Sequence, residues 1–434
     1  MAREYKESGI EWIGQIPKEW KLPRLKNVAE LHGRIGWNGL RSDEFEENSY
    51  AYLVTGQDFK TSEIVWNNCY QIRKERYEED PFIQLHNGEI LVTKDGTIGK
   101  IAIVSKMDKP GCLNSGIFVL RQKKNSFVPK YLYWQLYSSL LKTYNDYMNL
   151  GGTTIIHLYQ NVFERMPLIS PSLPLQQKIA DYLDKVCGEV DEIVSLQETM
   201  IEELKAYKQS VITEAVTRGL NPNVPMRDSG IDWIGEIPEH WDVRKIGRLF
   251  RLRDEKNYKP MEEVQLLSLY TGIGVFPHGE QEERGNKAVT VEGYKVVHKD
   301  DIVVNIILAW MGAIGVSDYD GVTSPAYDVY IPDIPKVIPH FFHYVFRTKG
   351  IAAECYKYGR GIMMMRWRTY SSEFKQISVP YPSIEEQQHI ASYLDTKCSE
   401  IDSLIALKQA KIEELKEYKK SVIYEYVTGK KEVC

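Results

Sequence analysis

Residues 171–217 and 382–428 carry related segments that align without a gap at an offset of 382 − 171 = 211. The first reads "PSLPLQQKIADYLDKVCGEVDEIVSLQETMIEELKAYKQSVITEAVT" and the second "PSIEEQQHIASYLDTKCSEIDSLIALKQAKIEELKEYKKSVIYEYVT". In the first block apolar residues fall at Ile179, Leu183, Val186, Val190, Ile193, Met200, Leu204, Tyr207 and Val211, in steps of three and four, with Gln197 filling one slot. The second block offers Ile390, Leu394, Ile401, Leu404, Leu415 and Val422 at corresponding places. That heptad stripe is the pattern of a coiled-coil seam. A Pro-Ser entry suits a helix start and "RGLNPN" a stop, so each block predicts a helix of roughly 44 residues, or ~66 Å.

A shorter repeat precedes each half. "GIEWIGQIPKEW" at Gly9–Trp20 returns as "GIDWIGEIPEHW" at Gly230–Trp241, 221 residues later. The stretches between match weakly, as in "GEILVTKDGTIGKIAIVS" against "DDIVVNIILAWMGAIGVS" and "PKYLYWQLYSS" against "PHFFHYVFRTK". Runs of Val, Ile, Tyr and Thr punctuated by glycine predict short strands, and "YLYWQL" a helix. The expected class is α+β, in four segments: a first globular domain over 1–170, a long helix over 171–220, a second domain over 221–381 and a second long helix over 382–434. Constant helices around divergent domains imply one frame presenting two different surfaces, with the Trp/Ile-rich repeats as packed joints.

Charge follows the same division. Residues 21–170 hold 19 basic and 16 acidic residues (+3), 242–381 hold 19 and 17 (+2), and 171–217 hold 4 and 9 (−5). Six scattered cysteines without a C-x-x-C pair argue against a zinc ribbon or disulfide scaffold and suit a reducing cytoplasm. No run of 18 apolar residues exists and the N-terminus has no apolar signal region, so neither membrane nor export is expected. "DGTIGK" lacks the first glycine and the Ser/Thr of a phosphate loop and reads as strand–turn–strand. "NPN" at 221–223 lacks the residues that would make it a methyltransferase segment and reads as a linker. His157 and His343 read as packing or surface residues. No metal-ligand or catalytic constellation is recognisable, and no cofactor is expected on this chain.

Two loops have the composition of nucleic-acid readers. "HGRIGWNGLRSDEF" carries Arg34, Trp37, Asn38 and Arg41, and "YGRGIMMMRWRTY" carries Arg360, Arg366 and Arg368. The counterpart of the latter, "LGGTTIIHLYQ", offers Thr153 and Thr154, and the glycine-rich turns offer Lys94, Thr97 and Trp310. Arg, Asn and Thr on loops can read base edges, whereas Arg and Lys grip phosphates. A scaffold that binds only proteins would show the same helices without selecting any DNA sequence.

Taken together and in order, "GIEWIGQIPKEW", "GRIGWNGL", "LVTKDGTIGKIA", "PLQQKIADYLD", "EELKAYKQSVI", "GIDWIGEIPEHW", "AWMGAIGVSDYDGVTSPAY", "EEQQHIASYLD" and "EELKEYKKSVI" resemble the specificity (S, HsdS) subunit of type I restriction-modification systems over essentially the entire chain. The resemblance implies a non-catalytic subunit with two target recognition domains, each reading half of a bipartite site in double-stranded DNA. It implies that the helices form an antiparallel coiled coil with a pseudo-twofold axis. Partners would be two modification (methyltransferase) subunits, which bind S-adenosylmethionine and methylate adenine, and restriction subunits that use ATP and Mg2+.

Overall fold

The computed structural model describes residues 3–34, 40–60, 62–148, 157–279, 290–334, 336–362 and 367–433. Two helices dominate: a central one, Leu173–Arg218, of 46 residues, and a distal one, Ile384–Val427, of 44. No helix of the described residues is long and apolar enough to cross a membrane.

The chain divides into two compact units, Met1–Gln197 with Ala410–Cys434, and Glu198–Gln409. These bounds cut each long helix in two, where the sequence reading kept helices and domains as separate segments. Burial explains the cut. The core of the first unit takes Ile179, Ala180, Leu183 and Cys187 from the start of the central helix and Val422, Ile423 and Val427 from the end of the distal one. The core of the second takes Val211, Ile212, Ala215 and Val216 from the end of the central helix and Ile390, Ala391, Leu394 and Cys398 from the start of the distal one. Within each unit the two helical segments run antiparallel. In the first, Tyr182 meets Tyr426 at 4.4 Å between ring centroids and Asp191 meets Lys419 at 2.7 Å; in the second, Met200 meets Lys408 at 3.3 Å and Lys208 meets Asp402 at 2.6 Å.

The predicted seam is partly displaced. Ile179, Leu183, Val190, Val211, Ile390, Leu394, Ile401 and Val422 are buried, and Val186, Leu204 and Leu415 are half-buried. Ile193 and Leu404, equivalent positions of the repeat, stand 44% and 47% exposed, and Tyr207 is exposed as well. Buried instead are Cys187 and Ile201 with their counterparts Cys398 and Ile412. An α-helix gains about 20° on a strict seven-residue repeat at each heptad, so a stripe drawn at even steps leaves the contact face.

Each unit also builds an antiparallel four-stranded sheet. In the first its order is Ala29–Gly33, Ile117–Gln122, Ile90–Thr93, Ile101–Ile103; in the second it is Phe250–Leu252, Tyr327–Pro332, Ile302–Asn305, Ile314–Val316. One face packs on the helical core, and the other covers a smaller apolar layer, around Leu53, Cys112 and Val119 in the first unit and around Leu267, Val303 and Val329 in the second. The mixed α+β class is as the sequence predicts.

The short repeats form matching hairpins, Tyr5–Glu7 with Gln15–Pro17 and Met226–Asp228 with Glu236–Pro238. Gly14 and Gly235 both sit at φ +68, a left-handed value that glycine adopts without strain. Each hairpin leans on a helix end. A Cβ at Gly429 would come within 2.6 Å of Pro17 and 2.8 Å of Trp20, and one at Gly219 within 3.1 Å of Trp241. Trp20 and Trp241 are buried there, which fits a packing role at the joint.

Candidate nucleic-acid interface

Anchors that recur in both halves of the repeat seat each globular part on its helices. Gln176 accepts a hydrogen bond from the Val128 N–H (2.8 Å) and donates to the Pro171 carbonyl (3.0 Å); Gln387 does the same with Ile338 (2.9 Å) and Pro382 (3.1 Å). Two helical turns onward, Asp184 accepts from the Trp134 indole at 2.8 Å and pairs with Lys130. Its counterpart Asp395 accepts from the Tyr344 hydroxyl and pairs with His340, both at 2.6 Å. The donors differ while the acceptor stays, so the frame is constant and the mounted domain is not.

In the first unit the loop between Ile90–Thr93 and Ile101–Ile103 is a tight turn, as predicted for "DGTIGK". Thr93 Oγ1 donates to the Thr97 carbonyl at 2.6 Å and accepts from the Lys100 N–H at 2.9 Å. Gly96 and Gly99 supply positive φ values of 69 and 80. Thr97 is exposed at the tip, and Lys94 sits with its ammonium 4.8 Å from the centre of the Phe118 ring. Asp95 pairs with His157 at 2.8 Å, a contact across 62 residues that local sequence could not announce. This tip is polar.

The equivalent turn of the second unit, 306–313, is apolar. Asn305 Oδ1 accepts from the N–H groups of Ile307 (3.0 Å) and Leu308 (3.3 Å), a 3₁₀ turn follows at Ala309–Met311, and Gly312 closes it at φ +84. The predicted reader Trp310 faces inward: its indole N–H donates to the Ile307 carbonyl at 3.0 Å and its ring lies 6.0 Å from that of Tyr356. The exposed members of this turn are its neighbours Leu308 and Met311, which the sequence reading passed over.

Beside this turn Arg360 and Arg368 exchange backbone hydrogen bonds of 2.9 and 3.0 Å, and the Thr369 N–H donates to the Ile306 carbonyl at 2.9 Å. A backbone hydrogen bond thus joins the segment carrying Arg360 and Arg368 to the apolar turn. Arg360 is exposed, stacks 5.1 Å over Tyr370 and reaches Glu373 at 3.3 Å. Arg368 is half-buried, and its buried Nη1 finds no hydrogen-bond acceptor among the described residues.

Arg34 corrects the sequence reading. It is buried in the first unit, donating through Nε to the Leu113 carbonyl at 3.1 Å and through Nη2 to the Cys112 sulfur at 3.6 Å. A guanidinium buried against the Leu113 carbonyl and the Cys112 sulfur holds the fold together and is not presented to a ligand. Arg41 lies exposed a few residues on, its N–H donating to Glu44 at 2.8 Å. Trp37, Asn38, Thr153, Thr154 and Arg366 lie outside the described residues.

Comparison with known proteins agrees with this doubled plan. A family model described as "Type I restriction modification DNA specificity domain" matches residues 17–206 and again 238–417. The chain is 24% identical over 446 residues to the type I restriction enzyme MjaVIII specificity subunit of Methanocaldococcus jannaschii, covering 98% of this chain and 96% of that one. A solved chain from work on complex assembly and conformational transition of the type I R-M system superposes with a TM-score of 0.71 at 14% identity, covering 95% of this chain and 98% of that one. The HsdS subunit from Thermoanaerobacter tengcongensis gives a TM-score of 0.54 at 14% identity over the same shares.

Proposed function

Since the chain belongs to the type I restriction-modification DNA specificity family, we propose that its two units are two different readers of one bipartite site in double-stranded DNA. The observation that carries this reading is the contrast within the repeat. Gln176 and Gln387 make matching hydrogen bonds, whereas the turn tips of the two units are polar in one and apolar, beside an arginine segment, in the other. Matched mounts with unlike tips suit two half-sites of unlike sequence, because base edges are told apart by donors, acceptors and the thymine methyl.

The chain itself carries out no reaction in this proposal. Adenine methylation falls to two modification subunits that bind S-adenosylmethionine, and restriction to further subunits that use ATP and Mg2+. The exposed apolar residues of the long helices, among them Ile193, Leu196, Leu404 and Leu407, are where such subunits would find apolar surface to cover. The complex would work in the cytoplasm.

Methylation-site sequencing of DNA from cells carrying the complete complex tests the proposal. It should return one bipartite motif, and exchanging residues 21–170 for the matching domain of a relative should alter one half and leave the other. If both halves change together, the units do not read independently. Binding to random duplexes without selecting any sequence would favour a protein-only scaffold.

A further inference from the structure

The apolar turn of the second unit calls for a partner, and its chemistry restricts what that partner can be. Leu308 is 36% and Met311 52% exposed. Neither is loosely held: the Met311 N–H donates to the Leu308 carbonyl at 2.9 Å, the Ala313 N–H to the same carbonyl at 3.1 Å, and Ala309 between them is fully buried. The inward-facing Trp310 braces the turn from below against Tyr356, which stacks on Trp367 at 5.0 Å. A turn held by these hydrogen bonds that still leaves a leucine and a methionine in water has them there for contact.

An arginine segment adjoins this turn. The Thr369–Ile306 hydrogen bond ties it to the segment that carries the exposed Arg360, whose cation suits a phosphate. Resting on the proposed reading of DNA by this unit, we infer that Leu308 and Met311 are specificity-determining residues that pack against thymine methyl groups in the major groove. The C5-methyl is the one apolar group that a base pair displays there. An exposed arginine on the segment bonded to an apolar tip matches a thymine-containing half-site better than an uncharged protein groove. The first unit, with Thr97 and the Asp95–His157 pair at its tip, reads by hydrogen bonds instead.

The test replaces thymine by deoxyuridine, which differs by that methyl alone. The motif comes from methylation-site sequencing, and the domain exchange described above shows which half belongs to the second unit. Duplexes with single deoxyuridine replacements in that half are then titrated with the chain in complex with its modification subunits. At least one replacement should weaken binding by about four-fold, the worth of one methyl hidden from water. The same replacement should be without effect on the Leu308→Ala/Met311→Ala double variant and reduced in effect on Met311→Ala alone. Both side chains lie at the surface, so the variants should assemble and melt like the parent. A half-site without thymine, an absent deoxyuridine penalty, a penalty undiminished in the variants, or variants that lose their modification subunits would each overturn the inference and leave the DNA-reading proposal standing. Only failure of the parent complex to select any sequence would remove both.

Discussion

Lys419 places its ammonium 2.7 Å from both carboxylate oxygens of Asp191. The relationship recurs in the second unit, where Lys208 lies 2.7 and 2.6 Å from the oxygens of Asp402. The positions are repeat equivalents, since 402 − 191 and 419 − 208 both equal 211. Each lysine is contributed by the opposite long helix from the aspartate it meets, so the pairs fix an antiparallel register in both units. The aspartates are largely exposed, and an exposed pair contributes only about 0–1 kcal/mol.

Lys419→Glu should therefore lower the stability of the chain by about 1 kcal/mol through like-charge repulsion, and Asp191→Lys/Lys419→Asp should recover most of it. Urea unfolding of the three chains measures this. A double exchange no better than the single one would show that the pair has no part in register.

Gln387→Leu removes the acceptor of the Ile338 N–H and the donor to the Pro382 carbonyl in a fully buried place. Each group left unsatisfied costs about 1–3 kcal/mol, so a clear drop in the thermal midpoint is expected, and Gln176→Leu should do the same to the first unit. Gln387→Glu, which keeps the acceptor and alters only the donor, should cost less at a pH where the new carboxyl is protonated.

Burial, then Arg347, His340 and Lys208, push the His343 imidazole down to about 3. The folded chain keeps it neutral while the unfolded chain takes up a proton below about 6.5, so its stability is complete above pH 6.5 and declines as pH falls from there toward 3. The slope from one such group is at most about 1.4 kcal/mol per pH unit. His343→Gln should flatten the dependence of unfolding free energy on pH between 6.5 and 5; an unchanged slope would place the titration elsewhere.

Arg360→Ala should weaken DNA binding by the complex about equally on all sequences and lower the salt slope by about 1, as expected for a phosphate contact. If one base position relaxes instead, Arg360 reads a base edge. Binding across a salt series, together with methylation-site sequencing, distinguishes the two.

The long helices, the joints and the α+β class were legible because repetition and periodicity can be read from the order of residues without knowing what packs on what. The helix starting near Pro171 and its stop at "RGLNPN" agree with Leu173–Arg218 within a few residues. The seam was legible only in outline, since Ile193 and Leu404 depend on how far the helical face has rotated before a domain covers it. The interface was least legible. Arg34 in a glycine-rich loop looks like a ligand contact until Leu113, 79 residues away, closes over it. Trp310 bonds back to its own turn, whereas the exposed positions are the plain aliphatics beside it.

The Gln and Asp anchors lie inside the two related helical blocks, and the divergent domains lie outside them, one before the first block and one between the two. Two related genes of this kind could thus cross over within a block, and the hybrid would inherit intact seats for whichever domain it received. Asp184 already receives a lysine and a tryptophan where Asp395 receives a histidine and a tyrosine. A lineage could in this way replace half of its methylation pattern in a single recombination event, without passing through a misfolded ancestor.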